Sequence, residues 1–83
     1  MDRTTVEPEV ALALTELAAG HLVRIERVGT SLEDTGRLRD LGVYEGAEVT
    51  LLSQGDPVVL SVHGTRFAIC RRCARLVTAS ALV

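Results

Sequence analysis

The chain has 83 residues, 47% apolar and 24% charged, ordinary globular proportions for one small domain. No stretch approaches the ~20 apolar residues of a membrane-spanning helix, and the amino-terminal sequence lacks the basic start and apolar core of a signal peptide. A cytoplasmic location is therefore expected, with contact to the inner membrane only through a partner. The net charge is −2, and Tyr44 and Phe67 are the only aromatics, which excludes the basic, aromatic-rich surface of a nucleic-acid binder.

Residues 1–13, with Pro8 and mixed charge, read as a flexible arm ahead of a single domain over residues 14–83. Thr15 can cap one helical turn that ends at Gly20. Residues 21–28 alternate Val23 and Ile25 with Arg24 and Glu26, the period of a half-buried strand. Ser31 and Asp34 have capping-box-like spacing ahead of a helix predicted over residues 32–41. Leu38 and Leu41 are expected to face one core from it, and Gly42 to stop it in the left-handed conformation.

A turn through Gly46 leads to a strand over residues 47–53, with Val49 and Leu51 on one face and Glu48 and Thr50 on the other. Residues 54–57 form a loop, and the tripeptide Gly-Asp-Pro within it says nothing of the nucleotide of the same letters. Pro57 can open the next strand, where its missing N–H is tolerated.

His63-Gly64 is a two-residue hairpin turn, which fixes the pairing of the two flanking strands. Val62 then opposes Thr65, Ser61 opposes Arg66, Leu60 opposes Phe67, Val59 opposes Ala68 and Val58 opposes Ile69. That register gathers Leu60, Phe67, Val58 and Ile69 on one face, so register and apolar pattern agree. It also turns Cys70 away from the core. A short helical turn follows, with Ala74, Leu76 and Val77 as its candidates for burial, and a last strand over residues 77–79. The result is mainly β: a small, strongly curved barrel of about five strands with one inserted helix and a short carboxy-terminal helical turn.

Three ordered segments carry a resemblance. Leu14, Leu17 and Gly20 are similar to an L-x-x-L-x-x-G opening, residues 37–49 to an R-L-x-x-x-G-hydrophobic-x-P-G-x-x-V run, and residues 55–69 to a Gly-Asp-Pro, strand, Gly, strand run. Together they resemble the FeoA family, small cytoplasmic partners of the FeoB ferrous iron permease, over about residues 14–78. The resemblance implies an SH3-like barrel, no catalysis, and docking to the GTPase-containing cytoplasmic portion of FeoB. The chain departs from the family pattern at three places. Glu45 stands at the turn proline, the segment before Gly55 is short, and Cys70 and Cys73 stand where many members carry Arg and Glu.

No nucleophile–base pair, His/carboxylate cluster or phosphate-binding loop is present, so the chain reads as a non-enzyme. His21 and His63 read as lone histidines. Cys70 and Cys73 are two candidate metal ligands where a closed zinc site needs four. His63 is seven residues from Cys70, roughly 23 Å along a strand, and cannot join them. Two copies contributing a cysteine pair each, a homodimer, could hold a divalent iron or zinc ion, but no cofactor is required. Arg71, Arg72 and a helix start would lower a thiol pKa, yet the βαβ setting of a redox dithiol is missing. Reduced surface thiols rank first among these readings, metal binding second and redox chemistry third.

For the partner, the exposed helix and its turn offer Arg37, Arg39, Asp40, Tyr44 and Glu45, and the acid-free segment after residue 57 offers Arg66, Arg71, Arg72 and Arg75, which could steer a charged surface. The groove of a proline-rich-peptide binder is absent for want of aromatics. Two alternatives stand beside the permease partner. One is a regulatory SH3-like domain acting in trans on a metal-dependent repressor, since the chain has no room for a helix-turn-helix. The other is a small metal-binding protein using Cys70 and Cys73.

Overall fold

The structure is a computed structural model and describes residues 11–82. Six strands form one antiparallel sheet: β1 (Leu12–Ala13), β2 (His21–Val28), β3 (Glu48–Ser53), β4 (Val58–Val62), β5 (Thr65–Ile69) and β6 (Val77–Ala81). Their order across the sheet is β1-β6-β2-β3-β4-β5. A 3-10 turn, Leu14–Glu16, follows β1; helix α1, Leu32–Asp40, joins β2 to β3; and helix α2, Arg71–Ala74, joins β5 to β6. The fold is therefore the expected mainly-β, SH3-like one, with one strand more than predicted. Most of the expected arm lies outside the described residues, but Leu12 and Ala13 at its end pair with Ala79 and Thr78.

Alternation along the strands builds one core. Val23 and Ile25 from β2, Val49 and Leu51 from β3, Val58, Leu60 and Val62 from β4, Ile69 from β5, and Val77 and Ala79 from β6 are all buried in a single cluster. Leu14, Leu38 and Ala74 close it from the turn and the two helices. A flat sheet could not wrap one cluster. Two irregularities bend it: an extra residue, Glu26, between the pairs Ile25–Ala79 and Arg27–Thr78, and Leu52 between the pairs Leu51–Leu60 and Ser53–Val59. Glu26 also meets Ser80, the one buried polar residue among those described, whose hydroxyl donates to its Oε2 at 2.6 Å.

The β4–β5 hairpin has the register read from the sequence at all five pairs. Its turn places both His63 (φ 51°) and Gly64 (φ 84°) in the left-handed region, the backbone of a type I′ turn.

Helix α1 starts as expected. Ser31 is its N-cap, with Oγ accepting from the Asp34 N–H at 3.2 Å. Its end corrects one expectation. Leu41 caps the helix and is 46% exposed, so it does not share the core with Leu38. Gly42 (φ 98°) turns the chain, its N–H bonds the carbonyl of Arg39, and the Val43 N–H bonds the carbonyl of Leu38 at 2.8 Å. This paired closure swings Val43, not Leu41, over Leu38, where both are buried.

Two smaller expectations are also corrected. Thr15 caps nothing: the 3-10 turn begins at Leu14, which is fully buried, and its N-cap is Ala13. Burying Leu14 draws the turn one residue forward. Leu76 is 48% exposed, because α2 ends before it and β6 begins after it, with Val77 the first residue to face inward.

Candidate functional site

Two clefts flank α1, and six of the residues singled out by sequence line them: Arg39, Tyr44 and Glu45 in one, Arg37, Cys70 and Cys73 in the other. The first has a volume of 340 Å³ and is lined by Val28, Thr35, Arg39, Val43, Tyr44 and Glu45. The helix and its reversal build it. Arg39 projects from the last turn of α1, and the Gly42 turn carries Tyr44 and Glu45 back beside it. Val28, at the end of β2, supplies part of the floor. Thr35 is held by Thr30, with the two hydroxyls 2.8 Å apart. Arg39, Tyr44 and Glu45 are exposed, so the cleft presents a cation, a phenol and a carboxylate around an apolar base. Of the predicted contact residues, these three are brought together. Asp40 is exposed on the same helix but does not line the cleft.

Arg37 belongs elsewhere. Its guanidinium bonds Glu33 at 3.0 Å and lies 3.9 Å from Asp34. All three groups are exposed or half-exposed, so the pairing contributes little to stability, a few tenths of a kcal/mol by analogy with similar helix pairs. Arg37 lines the second cleft, 210 Å³, with Asp34, Leu38, Leu41, Ala68, Ile69, Cys70 and Cys73.

The hairpin register carries Cys70 to the outer face, as read from sequence, and the residue is exposed. Its backbone is extended (φ −63°, ψ 149°), and it serves as the N-cap of α2. In that role Sγ accepts from the Cys73 N–H at 3.4 Å. A thiolate gains from that donor, and this contact pulls the Cys70 thiol below its ordinary pKa, helped by the Cys73 thiol and the Arg72 charge. Cys73 is half-buried, and its thiol donates to Asp34 Oδ2 at 3.8 Å. The hydrogen bond with Cys70, burial, and the charges of Cys70 and Asp34 all push the Cys73 thiol up. The pair is thus chemically unequal. The carboxylate beside it is Asp34, a residue that sequence reading treated only as a helix cap partner. Among the described residues, no group of three or more His, Cys, Asp or Glu side chains is gathered as a metal ion would need. His63 stands at the exposed hairpin tip, and His21 is exposed at the start of β2.

The four carboxy-terminal arginines do not act alike. Arg66, Arg72 and Arg75 are exposed. Arg71 is half-buried and ties α2 to the loop before β4. Its backbone N–H bonds Asp56 Oδ1, and its guanidinium bonds the carbonyl of Gly55, both at 3.2 Å. A second tie was not anticipated. The side-chain amide of Gln54 donates to the carbonyls of Leu14 and Leu17 at 2.7 and 2.6 Å, fixing the short loop to the first turn. Nothing in the local sequence marks this, because its partners lie about forty residues earlier in the chain.

A model of the FeoA domain matches residues 12–80. The chain belongs to the FeoA family. No curated protein sequence matches it. Solved structures of FeoA proteins have the same fold. An iron uptake regulatory protein (FeoA) is 27% identical with a TM-score of 0.77, and the match covers 88% of this chain and 99% of that one. The FeoA protein from Chlorobium tepidum is 29% identical with a TM-score of 0.80, over 87% of this chain and 71% of that one. IdeR of T. acidophilum, 24% identical with a TM-score of 0.79, shares the fold over 94% of this chain and 37% of its own length. No helix among the described residues is long and apolar enough to cross a membrane.

Proposed function

We propose that this FeoA-family chain is a non-catalytic accessory protein of ferrous iron uptake that docks on the GTPase-containing cytoplasmic portion of a FeoB-type permease. The observation that carries this reading is the family match over residues 12–80, reinforced by the likeness to an iron uptake regulatory protein along nearly all of that protein's length. The cleft of Arg39, Tyr44 and Glu45 is the docking surface. It joins an arginine and a tyrosine, residue types enriched where partners bind tightly, to a shallow apolar base. Exposed Arg66, Arg72 and Arg75 steer the approach of an acidic face and affect the rate of encounter more than its final strength.

The test is calorimetric titration of the purified protein into the GTPase portion of the permease without nucleotide, with GDP and with a GTP analogue, alongside GTP turnover. Saturable binding in at least one state supports the reading. Absence of heat and of any turnover change in all three states overturns it. The likeness to IdeR is one of fold alone and adds no separate function.

A further inference from the structure

The second cleft has no part in that docking reading. Three features converge in it: two thiols separated by one helical turn, a carboxylate acceptor for one of them, and a concave wall open to solvent. We propose that Cys70 and Cys73 are a reactive dithiol that converts reversibly to an intramolecular disulfide, with Cys70 as the attacking sulfur and Cys73 as the resolving one.

The geometry supports the bond. Cys70 is the N-cap and Cys73 the third helical residue of α2, so the two side chains leave the same turn on the same side. The extended backbone at Cys70 folds its Sγ back to within 3.4 Å of the Cys73 nitrogen. Three-apart residues on a helical turn have β-carbons about 5–6 Å apart, and a disulfide needs about 3.5–4.5 Å. The remaining movement falls on the side chain of an N-cap residue, whose carbonyl can keep its bond from the Ala74 N–H at 3.0 Å. This arrangement arises at a strand-to-helix junction after a β-hairpin, so the motif acquires it without a βαβ unit.

The geometry also assigns the order of attack. Cys70 is exposed, accepts a backbone N–H, and has Arg72 nearby, so it is the sulfur that reaches an incoming oxidant as thiolate. Cys73 is held back, half-buried, with its proton on the line to Asp34. The co-reactant is a small disulfide. The Cys70 thiolate attacks one of its sulfurs, a mixed disulfide forms, and one thiolate leaves. With the charge on Cys70 gone, the Cys73 thiol loses two of the influences that retained its proton. It deprotonates to solvent and attacks Cys70 Sγ, and the second thiolate leaves. The protein has lost two protons and two electrons, and the small disulfide has become two thiols. The product withdraws Cys73 from Asp34, the side-chain hydrogen bond that joins α2 to α1 among the described residues.

The experiment uses the full chain, reduced and free of oxygen, equilibrated with oxidised and reduced glutathione in graded ratios, alkylated and weighed by intact mass spectrometry. The expected product is a monomer lighter by two hydrogens that blocks alkylation at both positions and returns to the dithiol under excess reduced glutathione. Cys73→Ser should accumulate a single glutathione adduct at Cys70, severalfold faster than Cys70→Ser accumulates one at Cys73. Persistence of the dithiol under excess oxidised glutathione overturns the proposal, as does a product confined to disulfide-linked dimers. Equal adduct rates in the two variants overturn the assignment of Cys70 as the attacking sulfur. The wild-type mass shift decides the first question even where a variant folds poorly.

Discussion

Gly42 lies against Val62 so closely that a β-carbon at position 42 would sit 2.8 Å from Val62 Cγ1. The contact joins the end of α1 to the last residue of β4, and it is where the helix reversal meets the barrel. Gly42 also holds φ at 98°, in the left-handed region. Gly42→Ala therefore meets two penalties, conformational and steric, together about 2–4 kcal/mol. Urea unfolding should show this as a lower midpoint with an unchanged slope. A midpoint equal to wild type would mean the reversal can open without cost.

Gln54 offers a prediction with a pH signature. Gln54→Ala removes two hydrogen bonds to the Leu14 and Leu17 carbonyls and should cost about 2 kcal/mol. Gln54→Glu should be worse at neutral pH, since a carboxylate has no proton to donate and faces two carbonyl oxygens. Its penalty should shrink as the pH falls and the carboxyl gains a proton. Thermal melts of both variants between pH 4 and 8 check this, with the expected window set by the ordinary Glu pKa of about 4.3. A flat difference between the two would show that the amide contributes through packing alone.

The capping serine gives a smaller, local effect. Ser31→Ala leaves the Asp34 N–H without its acceptor and should cost about 1 kcal/mol. Ser31→Asp should retain most of the stability, because Asp caps as well as Ser does. Denaturant titrations of the pair separate capping from simple loss of a hydroxyl.

The thiols should titrate apart, and each should respond differently to loss of the other. The leading cause of the lowered Cys70 pKa is the Cys73 backbone N–H, which survives in Cys73→Ser, so Cys70 there should still titrate below its ordinary value. The leading cause of the raised Cys73 pKa is Cys70 itself. In Cys70→Ser that influence is gone, and Cys73 should fall back toward its ordinary value. Alkylation rate against pH reads both midpoints directly. A single shared midpoint in the two variants would contradict the asymmetry.

On the docking surface, Arg39→Glu reverses the charge at the cleft rim and should weaken binding to the permease GTPase portion about tenfold, or ~1.4 kcal/mol. Asp40→Ala, on the same helix but outside the cleft, should leave binding within about twofold, as expected for a position outside the contact. Equal effects of the two changes would place the contact elsewhere.

The hairpin was legible in the sequence to the residue, because a two-residue turn leaves only one register that puts Leu60 and Ile69 on the same side. The start of α1 was legible for a related reason: its signal is local, with Ser31 and Asp34 three apart. What escaped was non-local or too short to have a period. Leu12 and Ala13 make a two-residue strand whose partner lies near the other end of the chain. Gln54 has the composition of a loop residue and acts as a strut. Leu41 has the helical spacing of a core residue, yet the helix ends one position before it and Val43 takes its place. Register placed Cys70 on the outer face, but the inequality of the two thiols comes from their contact with each other, from the burial of Cys73 and from Asp34, which reaches Cys73 from α1 across 39 positions of sequence.

The central pairing of β2 with β6 joins residues 23–28 to residues 77–81. By contrast, the β4–β5 hairpin closes over two residues. Loop closure across roughly fifty residues carries an entropic cost that a two-residue turn does not. The hairpin can therefore form in microseconds while the chain is still open, whereas the barrel is completed only when the last strand finds β2. The two halves of this small sheet thus differ in when they form: substitutions at the His63-Gly64 turn should change mainly the folding rate, and substitutions along β6 mainly the unfolding rate.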